Sequence, residues 1–175
     1  MTIILTTKRF VLREIDEKDV TEQYLAWFND DDAKSHIYFA ENKKTLNELK
    51  YYVSERVNRE DILFLAIFDK TRKIHIGNIK YEPISIDKSY AIMGVFIGEK
   101  EYRGIGVTKE VFEISSAWLK DNRNIKDIYL GVDVENKNAI KAYKKSGFRK
   151  TKTHLIGDET NRSVTMVFSM YGKDD

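Results

Sequence analysis

The segment Glu101-Tyr102-Arg103-Gly104-Ile105-Gly106-Val107-Thr108 sets two glycines between a strand-like stretch and the start of a strongly amphipathic helix. A helix start leaves several backbone N–H groups unpaired and carries the positive end of the helix dipole, while glycine lets an anion come close to the backbone. The turn therefore reads as a place for a phosphate; taken alone, Gly104 and Gly106 are equally a plain tight turn. It is not a Walker A loop, which needs Gly-Lys-Ser/Thr after four variable residues. Nor is it a dinucleotide fingerprint, whose third glycine falls where this chain has Lys109.

Downstream of the turn, Val107, Val111, Ile114 and Trp118 repeat at helical spacing and predict a helix ending near Asn122. Ile128, Leu130, Val132 and Val134 then alternate as a strand, residues 138–146 form a short helix closed by Gly147, and residues 148–156 and 164–170 read as a hairpin across 157–162. Upstream, residues 62–68 are a continuous apolar run, followed by strands over 74–81 and 90–97, which together make an antiparallel meander. Pro83 sits near the end of the middle strand, where a missing N–H is tolerable. The chain opens with a strand around 10–15. A helix follows from Asp19 carrying Val20, Tyr24 and Trp27, and then a second helix from Thr45, whose capping box uses Glu48 and whose apolar face is Leu46, Leu49, Val53 and Val57. The expected order is βααβββαβαββ, an α/β (α+β) fold with a mixed, mostly antiparallel sheet flanked by helices.

The chain has 175 residues, 42% of them hydrophobic, which suits one domain over 1–175. Thirty Lys and Arg against 28 Asp and Glu give a formal charge of +2, too little to argue for a nucleic-acid or membrane partner. With no cysteine there are no disulfides, thiolate metal sites or cysteine nucleophile. No apolar run approaches the ~20 residues of a membrane span and the first dozen residues do not read as a signal peptide, so the expected location is cytoplasmic.

A second motif, Asn136-Lys137-Asn138-Ala139-Ile140-Lys141-Ala142-Tyr143-Lys144-Lys145-Ser146-Gly147-Phe148, puts Ala139 and Tyr143 on one helix face, a small residue beside a phenol. It resembles the pattern Asn-x-x-Ala-x-x-x-Tyr-x-x-x-Gly-Phe of GNAT acetyltransferases, as residues 103–108 resemble that superfamily's acetyl-CoA signature, Arg/Gln-x-x-Gly-x-Gly/Ala. Arg103 and Gly106 match; Thr108 replaces the small last residue. The stretches Arg9-Phe10-Val11-Leu12-Arg13 and Trp27-Phe28-Asn29-Asp30-Asp31 are similar to the subgroup of ribosomal-protein N-terminal, spermidine and amino-sugar acetyltransferases.

The resemblance implies transfer of acetyl from acetyl-CoA to a primary amine by direct attack, with no metal. The acceptor would be a small molecule such as an amino sugar or polyamine, or a protein N-terminus. It assigns acetyl-CoA to Arg103, Gly104, Ile105, Gly106, Val107, Thr108 and Asn136 and to backbone N–H groups around Val95, Phe96 and Ile97, where the strand splays from its neighbour. It makes Tyr143 the acid at the leaving sulfur and puts Trp27, Asp30 and Asp31 on the acceptor side. Where some relatives carry a glutamate base this chain has Gly131, leaving Asp133, Glu82 or a water relay to Asp30 or Asp31 as candidates. Of the scattered His36, His75 and His154, His36 lies nearest the expected acceptor side. Two further readings stand beside the enzyme. One is a CoA-binding regulatory module without turnover; the other is a nucleic-acid contact by the run from Lys137 to Lys152, which is more simply a solvated face or a contact for the CoA 3′-phosphate. An exposed strand edge at the C-terminal hairpin would allow a homodimer.

Overall fold

The computed structural model describes residues 3–30, 44–156 and 163–172. Eight strands form one sheet in the order β1-β2-β3-β4-β5-β6-β8-β7, with β1 Ile4–Thr6, β2 Phe10–Glu14, β3 Leu63–Asp69, β4 His75–Ser85, β5 Tyr90–Ile97, β6 Asp127–Asp133, β7 Arg149–Thr151 and β8 Ser163–Ser169. Every neighbouring pair is antiparallel except β5 and β6, which are parallel and joined by a helical crossover. Helices α1 Glu22–Asn29 and α2 Leu46–Ser54 cover one face, and α3 Val107–Arg123 and α4 Lys137–Lys145 the other.

This two-sided cover explains the run in β3. Leu63, Leu65 and Ile67 enter the core under α3, while Phe64 and Ala66 enter the core under α1 and α2, so no polar alternation survives. The capping box at Thr45 forms as expected, with Glu48 Oε2 accepting from the Thr45 N–H at 2.8 Å.

Four differences from the sequence reading have physical causes. Strand β1 is added at the front; at three residues it is too short to show periodicity, and it forms by pairing with β2. Strand β4 runs through Pro83 to Ser85, its register with β5 shifting between Tyr81 and Ile84. The buried line of α3 is Val107, Val111, Phe112, Ser115, Ser116 and Leu119, with Ile114 and Trp118 only half-buried. Ser115 belongs inside because its Oγ meets the Tyr81 hydroxyl at 2.8 Å, a partner 34 residues away. The strand expected over 148–156 is cut to Arg149–Thr151, and this short edge, with Arg149 and Lys150 exposed, is the open edge at that end of the sheet. Asp31, Asp32, His36 and the hairpin tip 157–162 lie outside the described residues. No helix among the described residues is long and apolar enough to cross a membrane.

Candidate active site

Strands β5 and β6 pair at Tyr90–Asp127, Ala91–Ile128 and Ile92–Tyr129 and then part. Beyond that point β5 keeps its ladder with β4 out to Ile97–Gly77, and β6 keeps its ladder with β8 out to Asp133–Ser163. The edge of β5 from Met93 to Ile97 thus faces a gap. The Gly98 N–H donates to Ile76 O on the β4 side at 2.9 Å. The alternation of an antiparallel ladder then turns the Phe96 N–H toward β4, and the Val95 and Ile97 N–H groups toward the gap. Of the three residues named from the sequence, Val95 and Ile97 offer donors there, whereas Phe96 contributes its ring, packed 5.1 Å from Phe28.

The glycine turn follows at the same end of β5. Gly104 (φ +77°) and Gly106 (φ +83°) both occupy the left-handed region, and a Cβ at Gly104 would meet no atom within 4 Å. Gly106 is the N-cap of α3 and places no side chain on the helix's first N–H groups, so the turn is an open cradle with positive backbone ends. Arg103 does not point its whole head outward. Its Nε donates to Ile97 O at 2.9 Å and an Nη to Gly98 O at 3.0 Å, which fastens the turn to the end of β5. Arg9 braces the other side: its N–H and Nε bond Glu110 at 2.9 and 2.7 Å and an Nη donates to Ile105 O at 3.2 Å. The sequence showed Arg9 without this role, since the contact spans 96 residues.

On the same face of the sheet, α4 starts directly after β6. Asn136 caps it, its Oδ1 accepting from the Ala139 N–H at 3.1 Å, so the side-chain carbonyl serves the helix. Ala139 and Tyr143 both pack on the core beneath α3 and α4, with the Tyr143 ring 5.6 Å from Phe148. Burial pushes the Tyr143 phenol up to about 12, which keeps it a neutral O–H donor.

The opposite face holds Trp27 and Asp30, two of the residues named for an acceptor. Trp27 is a core residue, 4% exposed, with its Nε1 donating to Glu99 at 3.0 Å. Asp30 accepts from Lys100 at 3.2 Å and lines, with Gln23, Trp27, Gly98, Glu99 and Lys100, a recess of 440 Å³ beside the turn. Among the described residues, the candidate bases Glu82 and Asp133 are engaged. Burial alone would raise the Glu82 carboxyl, but the bonds and charges of Lys80 and Arg56 outweigh it and hold it below the ordinary carboxylate range. Asp133 Oδ1 accepts from the Glu135 N–H at 2.8 Å. His154 is exposed.

His75 is structural. It stacks on Tyr24 at 5.7 Å and Phe68 at 5.0 Å, and its Nε2 faces Gly77 O at 2.9 Å and Asn78 Oδ1 at 3.0 Å, so Nε2 carries the proton. Burial lowers its pKa, the bonds to Asn78 and Gly77 only partly opposing it. The folded state therefore holds a neutral ring that the unfolded chain protonates below its free value of ~6.5. Stability contributed by the neutral ring is complete above that pH and is lost as pH falls toward the folded pKa. Melting temperature is expected to decline on going from pH 7.5 to 5.5, and less so in His75→Gln; equal declines in both proteins would refute this role.

Among the described residues no group of three His, Cys, Asp or Glu side chains is placed to hold a metal. The family model described as acetyltransferase (GNAT) domain matches residues 9–149. An N-alpha-acetyltransferase of Saccharolobus solfataricus is 35% identical over 122 residues, covering 63% of this chain and 72% of the relative. That of Sulfurisphaera tokodaii is 31% identical over 84 residues, 47% of this chain and 49% of the relative, so the chain spans about half of that protein's length. Among solved structures, RimL, a ribosomal L7/L12 alpha-N-protein acetyltransferase in complex with coenzyme A, superposes with a TM-score of 0.82 at 15% identity, covering 95% of this chain and 98% of that one. A spermidine N-acetyltransferase from Vibrio cholerae in complex with CoA and spermine gives 0.78 at 21% identity, covering 93% and 96%. At these identities the structures speak to the fold.

Proposed function

The chain belongs to the GNAT acetyltransferase domain family, and from that premise we propose that it transfers acetyl from acetyl-CoA to an amine, the α-amine of a peptide or protein N-terminus being the acceptor class the residues favour. The observation that carries the reading is the parting of β5 and β6 beyond Ile92 and Tyr129, at the end of the sheet where the Gly104–Gly106 turn opens α3. Acetyl-CoA supplies an acetyl thioester, an electrophile that a neutral amine attacks. The open cradle at 103–108 fits its pyrophosphate, with N–H donors and no Cβ at Gly104 or Gly106. Val95 and Ile97 N–H groups would hold the thioester oxygen and stabilise the charge it gains.

Tyr143 would donate to the leaving sulfur. Burial raises its phenol well above a thiol's ~8.5, so full proton transfer to a thiolate is uphill. The role this supports is a hydrogen bond that stabilises the departing sulfur, with the proton arriving from solvent. Removing such a bond costs about 1.5–2.3 kcal/mol, a rate loss of about 10- to 50-fold.

The acceptor class follows from proton chemistry. Among the described residues Glu82 is held by two cations and Asp133 by a turn N–H, while Asp30 pairs one oxygen with Lys100 and keeps the other buried without a hydrogen-bond partner; with no carboxylate fully free, a readily deprotonated amine is favoured. At pH 7 an α-amine of pKa ~8 is about 10% neutral, against about 0.04% for an alkylamine of pKa ~10.4. Similarity to the N-alpha-acetyltransferases of Sulfurisphaera tokodaii and Saccharolobus solfataricus supports the same class. The test is thiol release from acetyl-CoA with short peptides bearing free N-termini, polyamines and amino-sugar nucleotides. Turnover is expected on peptides, with kcat down about 10- to 50-fold in Tyr143→Phe and the KM for acetyl-CoA little moved. Acetyl-CoA binding without turnover on any amine would refute the catalytic reading.

A further inference from the structure

Strand registers align one row of residues across the acceptor face. Lys80 on β4 pairs with Gly94 on β5; two residues past the last β5–β6 pair, Gly94 stands level with Gly131 on β6, which pairs with Thr165 on β8. The floor of the gap on this face is therefore two exposed glycines. Open space lies over Gly94, and an Ile156 methyl is 3.3 Å from where a Gly131 Cβ would be. CoA would occupy the face of the turn and Tyr143, so an amine reaches the thioester across this floor, which is open over Gly94 and bordered by Ile156 at Gly131. Among the described residues, the charged side chain that starts beside Gly94 is Lys80, whose Nζ lies over the rings of Tyr52 and Phe64.

Lys80 sits in a half-buried cluster. Its Nζ donates to the Tyr52 hydroxyl and to Glu82, Arg56 Nε donates to Glu82 at 3.0 Å, and an Arg56 Nη donates to Tyr52 O at 3.1 Å, the guanidinium lying 3.7 Å over the Tyr52 ring. Side-chain exposure is 23% for Lys80, 22% for Arg56 and 25% for Glu82. Among the described residues, two cations thus share one carboxylate where solvent screening is reduced. Nearby, Arg59 is matched by Asp61, and Glu55 takes the Tyr51 hydroxyl on the exposed side of α2. Donors remain as well: an ammonium has three N–H groups and a guanidinium five, and the bonds named use two of each.

The geometry points to Lys80, backed by Arg56, as an anion subsite that receives a carboxylate of the acceptor close to its reacting amine. This deepens the α-amine reading and rests on it: the preferred substrate is a peptide whose N-terminal residues are acidic. The charge also disfavours polyamines, which would bring positive groups toward a partly buried cation surplus.

The experiment compares kcat/KM of the full chain on peptides identical except for Asp, Asn or Lys at the second position, in wild type, Lys80→Met and Lys80→Arg. Wild type is expected to prefer Asp over Asn about tenfold, roughly the worth of one charge-assisted bond, with Lys the poorest. Lys80→Met should bring the Asp/Asn ratio to about one, and Lys80→Arg should retain a preference. Should Lys80→Met fail to fold, the wild-type and Lys80→Arg ratios still decide. Equal rates on Asp and Asn peptides in wild type, or an Asp preference surviving in folded Lys80→Met, overturns the subsite alone. Turnover on polyamines but on no peptide overturns the α-amine reading and the subsite with it.

Discussion

Gly98→Ala is expected to lower the free energy of unfolding by about 3 kcal/mol or more, measured by urea denaturation of the purified variant. A Cβ at Gly98 would lie 2.0 Å from Trp27 Cδ2 and 2.4 Å from two other indole atoms, well inside contact distance. The ring has no simple retreat. It is 4% exposed, sits edge-on to His75 at 5.0 Å and to Phe96 at 6.3 Å, and is tied through Nε1 to Glu99 at 3.0 Å. Moving it would break that bond and open the packing under α1, adding to the usual overpacking cost of 1–3 kcal/mol. Gly98 also offers its carbonyl to Arg103, so a shift there is passed to the glycine turn. A loss below 1 kcal/mol would mean that the Trp27 wall yields, and that its contact with the turn is not a rigid one.

That contact also shows where sequence reading stops. Trp27 is legible as an apolar position of a helix, but the residue it closes on is 71 positions away and carries no side chain to advertise the match. The glycine turn, the helix after it and the Asn136–Phe148 motif were readable because their physics is local: backbone φ, capping and helical spacing all act within a few residues. The double-faced burial of β3 was readable too, since a strand covered on both sides needs no polar alternation. Register is not local. The row Lys80–Gly94–Gly131–Thr165 exists only once four strands are aligned, although a glycine inside β5 is itself a sign of close approach. Glu82 looked available as a base for the same reason: Arg56, which with Lys80 holds it ionised, comes from just past the end of α2, 26 residues away.

Gly106→Val is expected to weaken acetyl-CoA binding about 100-fold while leaving most of the fold's stability in place. Gly106 has φ +83° and ψ 15° as the N-cap of α3, a conformation that costs an L-residue about 1–2 kcal/mol and a β-branched one more. The fold itself has room, since the nearest atom to a Cβ there is an Arg9 Nη at 3.8 Å, and α3 beyond the turn is anchored by Val107 and Val111 in the core. Strain is therefore relieved by turning the local peptide planes, which swings N–H groups of the cradle off their common aim. Losing two charge-assisted bonds of about 1.5 kcal/mol each gives about 3 kcal/mol, or roughly 100-fold in Kd. Calorimetric titration with CoA reads the affinity, and thermal melts read the strain. Gly172→Val is the matched control: it has φ +71°, open space around its Cβ and a position outside the turn, so it should show similar strain and unchanged CoA affinity. If Gly106→Val binds CoA within threefold of wild type despite a lowered melting temperature, the anion is held elsewhere, and the turn at 103–108 is only a corner between β5 and α3.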